Sequence, residues 1–127
     1  MAAHVVNDPE GCIGKAYANA KGNTECVELI HQMLHSPPTS MWKEGTKVVQ
    51  GGAAIAKGTA IATFVNGVYP QVGNHGKHAA LYLGQDAVGI QVVDQWKSQG
   101  MVKKRTIRWT GGPNLSNNGS AFSVIEW

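Results

Sequence analysis

Apolar positions recur at helical spacing early in the chain and at strand spacing later. Cys26, Val27, Ile30, Met33 and Leu34 form one helical stripe, opened by Gly22-Asn23-Thr24 and stopped by Pro37-Pro38. Asn23 or Thr24 is expected to cap this helix, with Glu25 and Glu28 in the first turns, where the helix dipole favours acids. A short second helix is expected from Thr39 or Ser40 through Met41, Trp42 and Lys43 to Gly45. Residues 1–22 precede both helices and read as an irregular arm, small and polar, with room for a short helix around Ala16–Ala20. After Thr59 the period changes. Thr59–Val65, His78–Leu83, Gly89–Trp96, Val102–Trp109 and Ala121–Trp127 read as strands. Asn66-Gly67, Pro70, the segment Gly84–Val88 and the Gly/Asn/Pro-rich stretches after Trp109 read as turns and loops. Helices first and sheet afterwards imply an α+β fold, with N-terminal helices packed on an antiparallel β-sheet.

Composition narrows the class. The chain has 127 residues, which suits a single domain spanning 1–127, and it is long enough to bury a core. Hydrophobic residues make up 43% and charged residues only 15%, which excludes a disordered chain. No apolar run approaches the roughly 20 residues that span a bilayer, so no membrane insertion is expected. Two cysteines are too few for a disulfide framework. The net charge of +3 is mild, and no nucleic-acid partner is expected from it. Lys103, Lys104, Arg105 and Arg108 are the one local concentration of charge; they read as a solvated strand or as a patch facing an anionic polymer. The first eight residues carry neither a basic start nor an apolar core, so no Sec signal is expected.

Candidate chemistry centres on three residues. Cys26 falls in the first turn of the first helix, where free N–H groups and the dipole favour thiolate. It reads either as a nucleophile awaiting a base or as a small buried apolar residue. Asp94 is the one aspartate inside an expected strand, and a carboxylate there needs a partner. If Leu83 and Gly89 close the hairpin, Tyr82 faces Ile90, Ala80 faces Val92 and His78 faces Asp94. Directly opposite residues share a face, with Cβ atoms about 4.5–5.5 Å apart. The pair is then either the orienting half of a cysteine–histidine site or a surface ion pair. His31 and His35 stand four apart on the helix, but no accompanying ligand motif supports a metal, and a solvated face is expected. His75 falls in a glycine-rich loop. Cys12 is expected to be a free thiol, or a redox latch in an oxidising compartment. The four tryptophans are expected in core or rim packing.

With these residues in view, a family resemblance emerges. The segment Asn23-Thr24-Glu25-Cys26-Val27-Glu28-Leu29-Ile30 resembles the cysteine helix of the CHAP and NlpC-type peptidoglycan hydrolases. Lys57-Gly58-Thr59-Ala60-Ile61-Ala62-Thr63-Phe64 is similar to their strand after a glycine turn. His78-Ala79-Ala80-Leu81-Tyr82-Leu83-Gly84 resembles their histidine strand, and Val92-Val93-Asp94-Gln95-Trp96 the acidic strand that follows. The resemblance runs over about residues 11–109 and is greatest to the small amidase effectors of type VI secretion. It implies a papain-like, NlpC-type fold and a cysteine amidase cleaving amide bonds in cell-wall peptides. Cys26 would be the nucleophile, His78 the base and then the acid, and Asp94 the residue orienting His78. The resemblance implies no cofactor and no metal. The implied substrate is a peptidoglycan stem peptide or cross-bridge, with a lean to the diaminopimelate–D-Ala cross-bridge. It implies a cognate immunity protein as partner. It also implies synthesis in the cytoplasm, export without a Sec signal and action in the periplasm of a target bacterium. The rival expectation is a non-catalytic module that binds cell wall or another anionic polymer.

Overall fold

The computed structural model describes residues 3–71 and 76–127, so His75 lies outside the described residues. The described residues form one α-helix, α1 (Cys26–Leu34), and six strands. The strands are β1 (Lys43–Lys47), β2 (Ala60–Thr63), β3 (Ala79–Gln85), β4 (Gly89–Asp94), β5 (Lys103–Arg108) and β6 (Phe122–Glu126). They make one antiparallel sheet in the order β1-β6-β2-β3-β4-β5. The expected α+β class holds, with one helix rather than several.

The second expected helix is replaced by a single 3-10 turn, Thr39–Met41, followed directly by β1. Backbone pairing accounts for the difference. Trp42 leaves the turn in an extended conformation, and Lys43 and Glu44 then pair with Glu126 and Ile125 of β6. Lys43–Lys47 is an edge strand with no fully buried position, so it shows no alternation to read. The arm contains a 3-10 turn at Pro9–Cys12 and no helix around Ala16–Ala20. It is fastened to the sheet by the Val5–Thr59 bridge and by the Val6 N–H on the Gly58 carbonyl at 2.9 Å. The Asn66-Gly67 turn forms as read. Both residues have positive φ, and Val65 and Val68 exchange hydrogen bonds of 2.9 and 3.1 Å, as a two-residue hairpin requires.

Each face of the sheet has its own apolar cluster. Leu29 and Ile30 of α1 pack with Ala60, Ala62, Leu81 and Val93. Ile61, Tyr82, Ile90, Val92, Ile107 and Phe122 fill the other cluster. Small residues on β2 and β3, namely Ala60, Ala62 and Ala79, are fully buried in the helix-side cluster. Gly58, just before β2, has φ +95, and a Cβ there would collide with the Val6 carbonyl. Gly58→Ala should therefore destabilise the fold by about 2 kcal/mol or more, measured by urea unfolding, through left-handed strain and loss of the arm contact.

Candidate active site

Cys26 is the first residue of α1, one place nearer the helix start than a Thr24 cap would put it and two nearer than an Asn23 cap would. Glu25 occupies the cap position with extended backbone and no side-chain cap. Thr24 turns instead to the β4–β5 connection, donating its hydroxyl to the Trp96 carbonyl at 3.2 Å. The Cys26 N–H thus belongs to the helix's unsatisfied first turn and points its partial positive charge outward. Cys26 is partly exposed, so the reading of a buried apolar residue does not describe it.

The start of α1 is held by Gln95, which is fully buried. Its amide donates to the carbonyls of Tyr17 and Glu25 at 2.8 and 2.9 Å and accepts from the Tyr17 N–H at 3.0 Å. The residue after Asp94 therefore ties the arm to the turn that carries Cys26.

His78 lies just before β3. Thr63 of β2 fixes its backbone at both ends: the His78 N–H donates to the Thr63 hydroxyl at 3.0 Å, and the Thr63 N–H donates to the His78 carbonyl at 3.0 Å. Its Nε2 donates to Asp94 Oδ2 at 2.7 Å. Both side chains are buried, 6% and 0% exposed, which excludes the surface ion pair.

The contact forms, but not in the expected register. Val92 pairs with Tyr82 rather than Ala80, a slide of two residues, and Gln85 pairs with Ile90 near the turn. A bulge between Tyr82 and Gly84 absorbs one residue, and Asp86 closes the turn by accepting from the N–H groups of Val88 and Gly89. His78 and Asp94 are then diagonal neighbours, not direct opposites. Because side chains alternate with period two, a slide of two leaves both on the same face. Diagonal spacing of about 7–8 Å is within reach of an imidazole.

The third partner of this cluster is Arg105 of β5, opposite Val92. Its Nε donates to the same Asp94 Oδ2 at 2.8 Å, and its guanidinium lies over the Trp96 ring, 4.9 Å from the centroid. Arg105 was legible only as part of a basic run. Its phase carried a signal, since Arg105 and the buried Ile107 stand two apart and so share a face. The Trp96 and His78 ring centroids lie 6.1 Å apart in a tilted, T-shaped arrangement, so Trp96 belongs to the site rather than to core packing. Trp42 and Trp109 are buried, and Trp127 stacks on His4 at 3.4 Å.

The Cys26 thiol and the His78 imidazole are near enough that each shifts the ionisation of the other. Since Nε2 serves Asp94, Nδ1 is the ring nitrogen left for the thiol. Burial pushes the Cys26 thiol up, but the His78 imidazole, the Ala79 N–H and the Tyr69 hydroxyl outweigh it, and the net shift is downward. For His78, burial favours the neutral ring, yet Asp94 and Cys26 outweigh it and raise the imidazole to about 9. Together these shifts favour a thiolate–imidazolium pair. Tyr69 stands on the other side of the thiol, its hydroxyl 3.8 Å from Sγ. Cys12, by contrast, is buried and donates its S–H to the Pro9 carbonyl at 2.8 Å; burial raises its pKa, and it is a free thiol outside the cluster. His31 bonds Ser36 and packs on Trp42, and His35 ends α1 in a left-handed conformation.

Cys26 separates two depressions. One, of about 1150 Å³, is bordered by Cys26, His78 and Trp96 together with Lys77, Lys97 and Arg105. The other, of about 290 Å³, lies between Cys26, Val27, Tyr69 and Gln71. An extended substrate crossing both would present its backbone to the thiol.

An α+β fold whose cleft gathers a thiol, an imidazole and a buried carboxylate marks a small amidase. The family model described as domesticated amidase effector 2 matches residues 1–125, and the chain belongs to that family. The type VI secretion amidase effector 2 protein of Salmonella typhi is 42% identical over 131 residues, covering 87% of this chain and 97% of the relative. Domesticated amidase effector 2 of Ixodes scapularis is 37% identical over 107 residues, covering 80% and 70%. The solved structure of a type 6 secretion amidase effector 2 superposes with a TM-score of 0.84 at 37% identity, over 97% of this chain and 94% of that one. The resemblance to type VI amidase effectors is thus borne out along nearly the whole chain.

Proposed function

We propose that this amidase effector is a papain-like cysteine hydrolase of peptidoglycan peptides, with Cys26 as nucleophile, His78 as acid and base, and Asp94 as the residue orienting His78. The observation that carries the reading is the His78–Asp94 contact at 2.7 Å beside a thiol whose ionisation is favoured. In the first half-reaction the Cys26 sulfur adds to the scissile carbonyl, and the Cys26 N–H faces the oxyanion that forms. The imidazolium gives its proton to the departing nitrogen as the C–N bond breaks. In the second half, His78 takes a proton from water, the hydroxide adds to the thioester, and thiolate leaves.

The larger cleft offers Lys77, Lys97 and Arg105 against one acid, Glu25, which suits the free carboxylates of stem peptides. The bond proposed is the diaminopimelate–D-Ala cross-bridge, cut in the periplasm of a target bacterium. A cognate immunity protein that occludes the cleft would protect the producer. None of the described helices is long and apolar enough to cross a membrane.

Mass spectrometry of muropeptides from sacculi incubated with the protein tests this. Cross-linked dimers should disappear and monomers ending in D-Ala should accumulate. Cleavage between D-Glu and diaminopimelate would overturn the choice of bond and leave the amidase reading standing. Undigested sacculi across pH 5–9 would overturn both.

A further inference from the structure

We propose that Arg105 is a positioning residue that sets the basicity of His78 through Asp94, an inference that rests on the catalytic reading above. One carboxylate oxygen, Asp94 Oδ2, accepts from both His78 Nε2 at 2.7 Å and Arg105 Nε at 2.8 Å. The other, Oδ1, is buried without a hydrogen-bond partner among the described residues. The two donors therefore share a single acceptor atom. Arg105 Nη2 also approaches His78 Nε2 to 3.4 Å, so a fixed positive charge stands against the imidazole edge.

The consequence is electrostatic. A fully buried carboxylate facing only the imidazole would hold its proton strongly, making imidazolium a poor acid toward the leaving nitrogen. The guanidinium draws on the charge of the shared carboxylate oxygen and at the same time repels imidazolium. Arg105 is itself held, with its guanidinium over Trp96 at 4.9 Å and its side chain 25% exposed. Lysine at this position would keep the charge but lose the fork that spans Oδ2 and the ring.

Among the described residues, the charged or titratable groups around His78 are Cys26 on α1, Asp94 on β4 and Arg105 on β5, with Glu25, Lys77 and Lys97 bordering the cleft. Trp96 and, from β6, Phe122 place uncharged rings beside it, with centroids 6.1 and 6.3 Å away. Of these charges only Arg105 shares the acceptor of His78.

Two readouts on Arg105→Gln and Arg105→Lys in the full chain test the proposal. The first is the pH dependence of kcat/KM on a cross-linked muropeptide dimer. Arg105→Gln should move the alkaline limb up by roughly one pH unit and lower kcat/KM at neutral pH by about tenfold. Arg105→Lys should return the limb most of the way. The second is NMR titration of the His78 ring in a Cys26→Ala background, where the same upward shift should appear. Unmoved profiles and an unmoved His78 titration, with only thermal stability reduced, would assign Arg105 a merely structural role and overturn the proposal. If Arg105→Gln fails to fold, a His78 titration in Arg105→Lys identical to that with Arg105 overturns it, and a partial upward shift supports it. The ring titration does not need turnover, so a wild-type protein that leaves sacculi intact would sink the catalytic reading without deciding the Arg105 effect.

Discussion

Cys26→Ala should lower sacculus hydrolysis by about 10³-fold or more, to the rate of a blank incubation. The expected size follows from the chemistry. Without sulfur no acyl-enzyme forms, and neither the helix N–H nor the imidazole has a nucleophile to assist. What remains is binding in the cleft and whatever attack water makes unaided. The fold should survive, because Cys26 is only partly buried and the contacts holding the start of α1 run through Gln95 and Thr24. The paired measurement is thermal unfolding, with Tm expected within a few degrees of wild type. Full residual hydrolysis in a folded Cys26→Ala protein would remove Cys26 from the mechanism.

His78→Gln should cost about 10²–10⁴-fold in kcat/KM, and its effect on Cys26 can be read separately. Glutamine can still donate to Asp94 and roughly fills the space, so the buried carboxylate keeps a donor. It cannot carry the proton. Without the imidazolium beside it, burial dominates the thiol, and the Cys26 pKa should rise. Iodoacetamide should then label Cys26 rapidly near neutral pH in the wild type and slowly in the variant. In the wild type the active ion pair forms as the thiol ionises, below its ordinary range, and is lost as the imidazolium deprotonates. The kcat/KM profile should be bell-shaped, with its alkaline limb near pH 9 and its acid limb set by the lowered thiol. A single rising limb following an ordinary thiol pKa would argue against the pair. A module that binds cell wall without cutting it predicts neither the labelling contrast nor the bell.

Much of this arrangement could be read from local signals. The stripe from Cys26 to Leu34 and the Pro37-Pro38 stop bound α1 closely. The segments His78–Leu83 and Gly89–Trp96 overlap β3 and β4, because central strands bury both faces and so concentrate apolar residues. By contrast, β1 is an edge strand whose Lys-Glu-Gly-Thr-Lys sequence carries no periodicity, and only pairing with β6 makes it a strand. The hairpin register is not legible in the sequence, because a bulge has no reliable mark there. His78 and Asp94 share a face because the slide from the pairing of a regular hairpin is an even number of residues.

By itself the sequence determined the α+β class and the place of Cys26 at a helix start, since helix spacing and strand alternation are local properties. Tertiary structure alone decided what surrounds Cys26 and its partners. Arg105 meets Asp94 because β5 pairs with β4, and Gln95 reaches Tyr17 and Glu25 across about seventy residues of chain or more. Tyr69 stands behind the thiol by folding, not by spacing. The burial that strengthens each of these charges and hydrogen bonds is likewise a property of the packed chain, because no local segment removes water from both sides of a carboxylate.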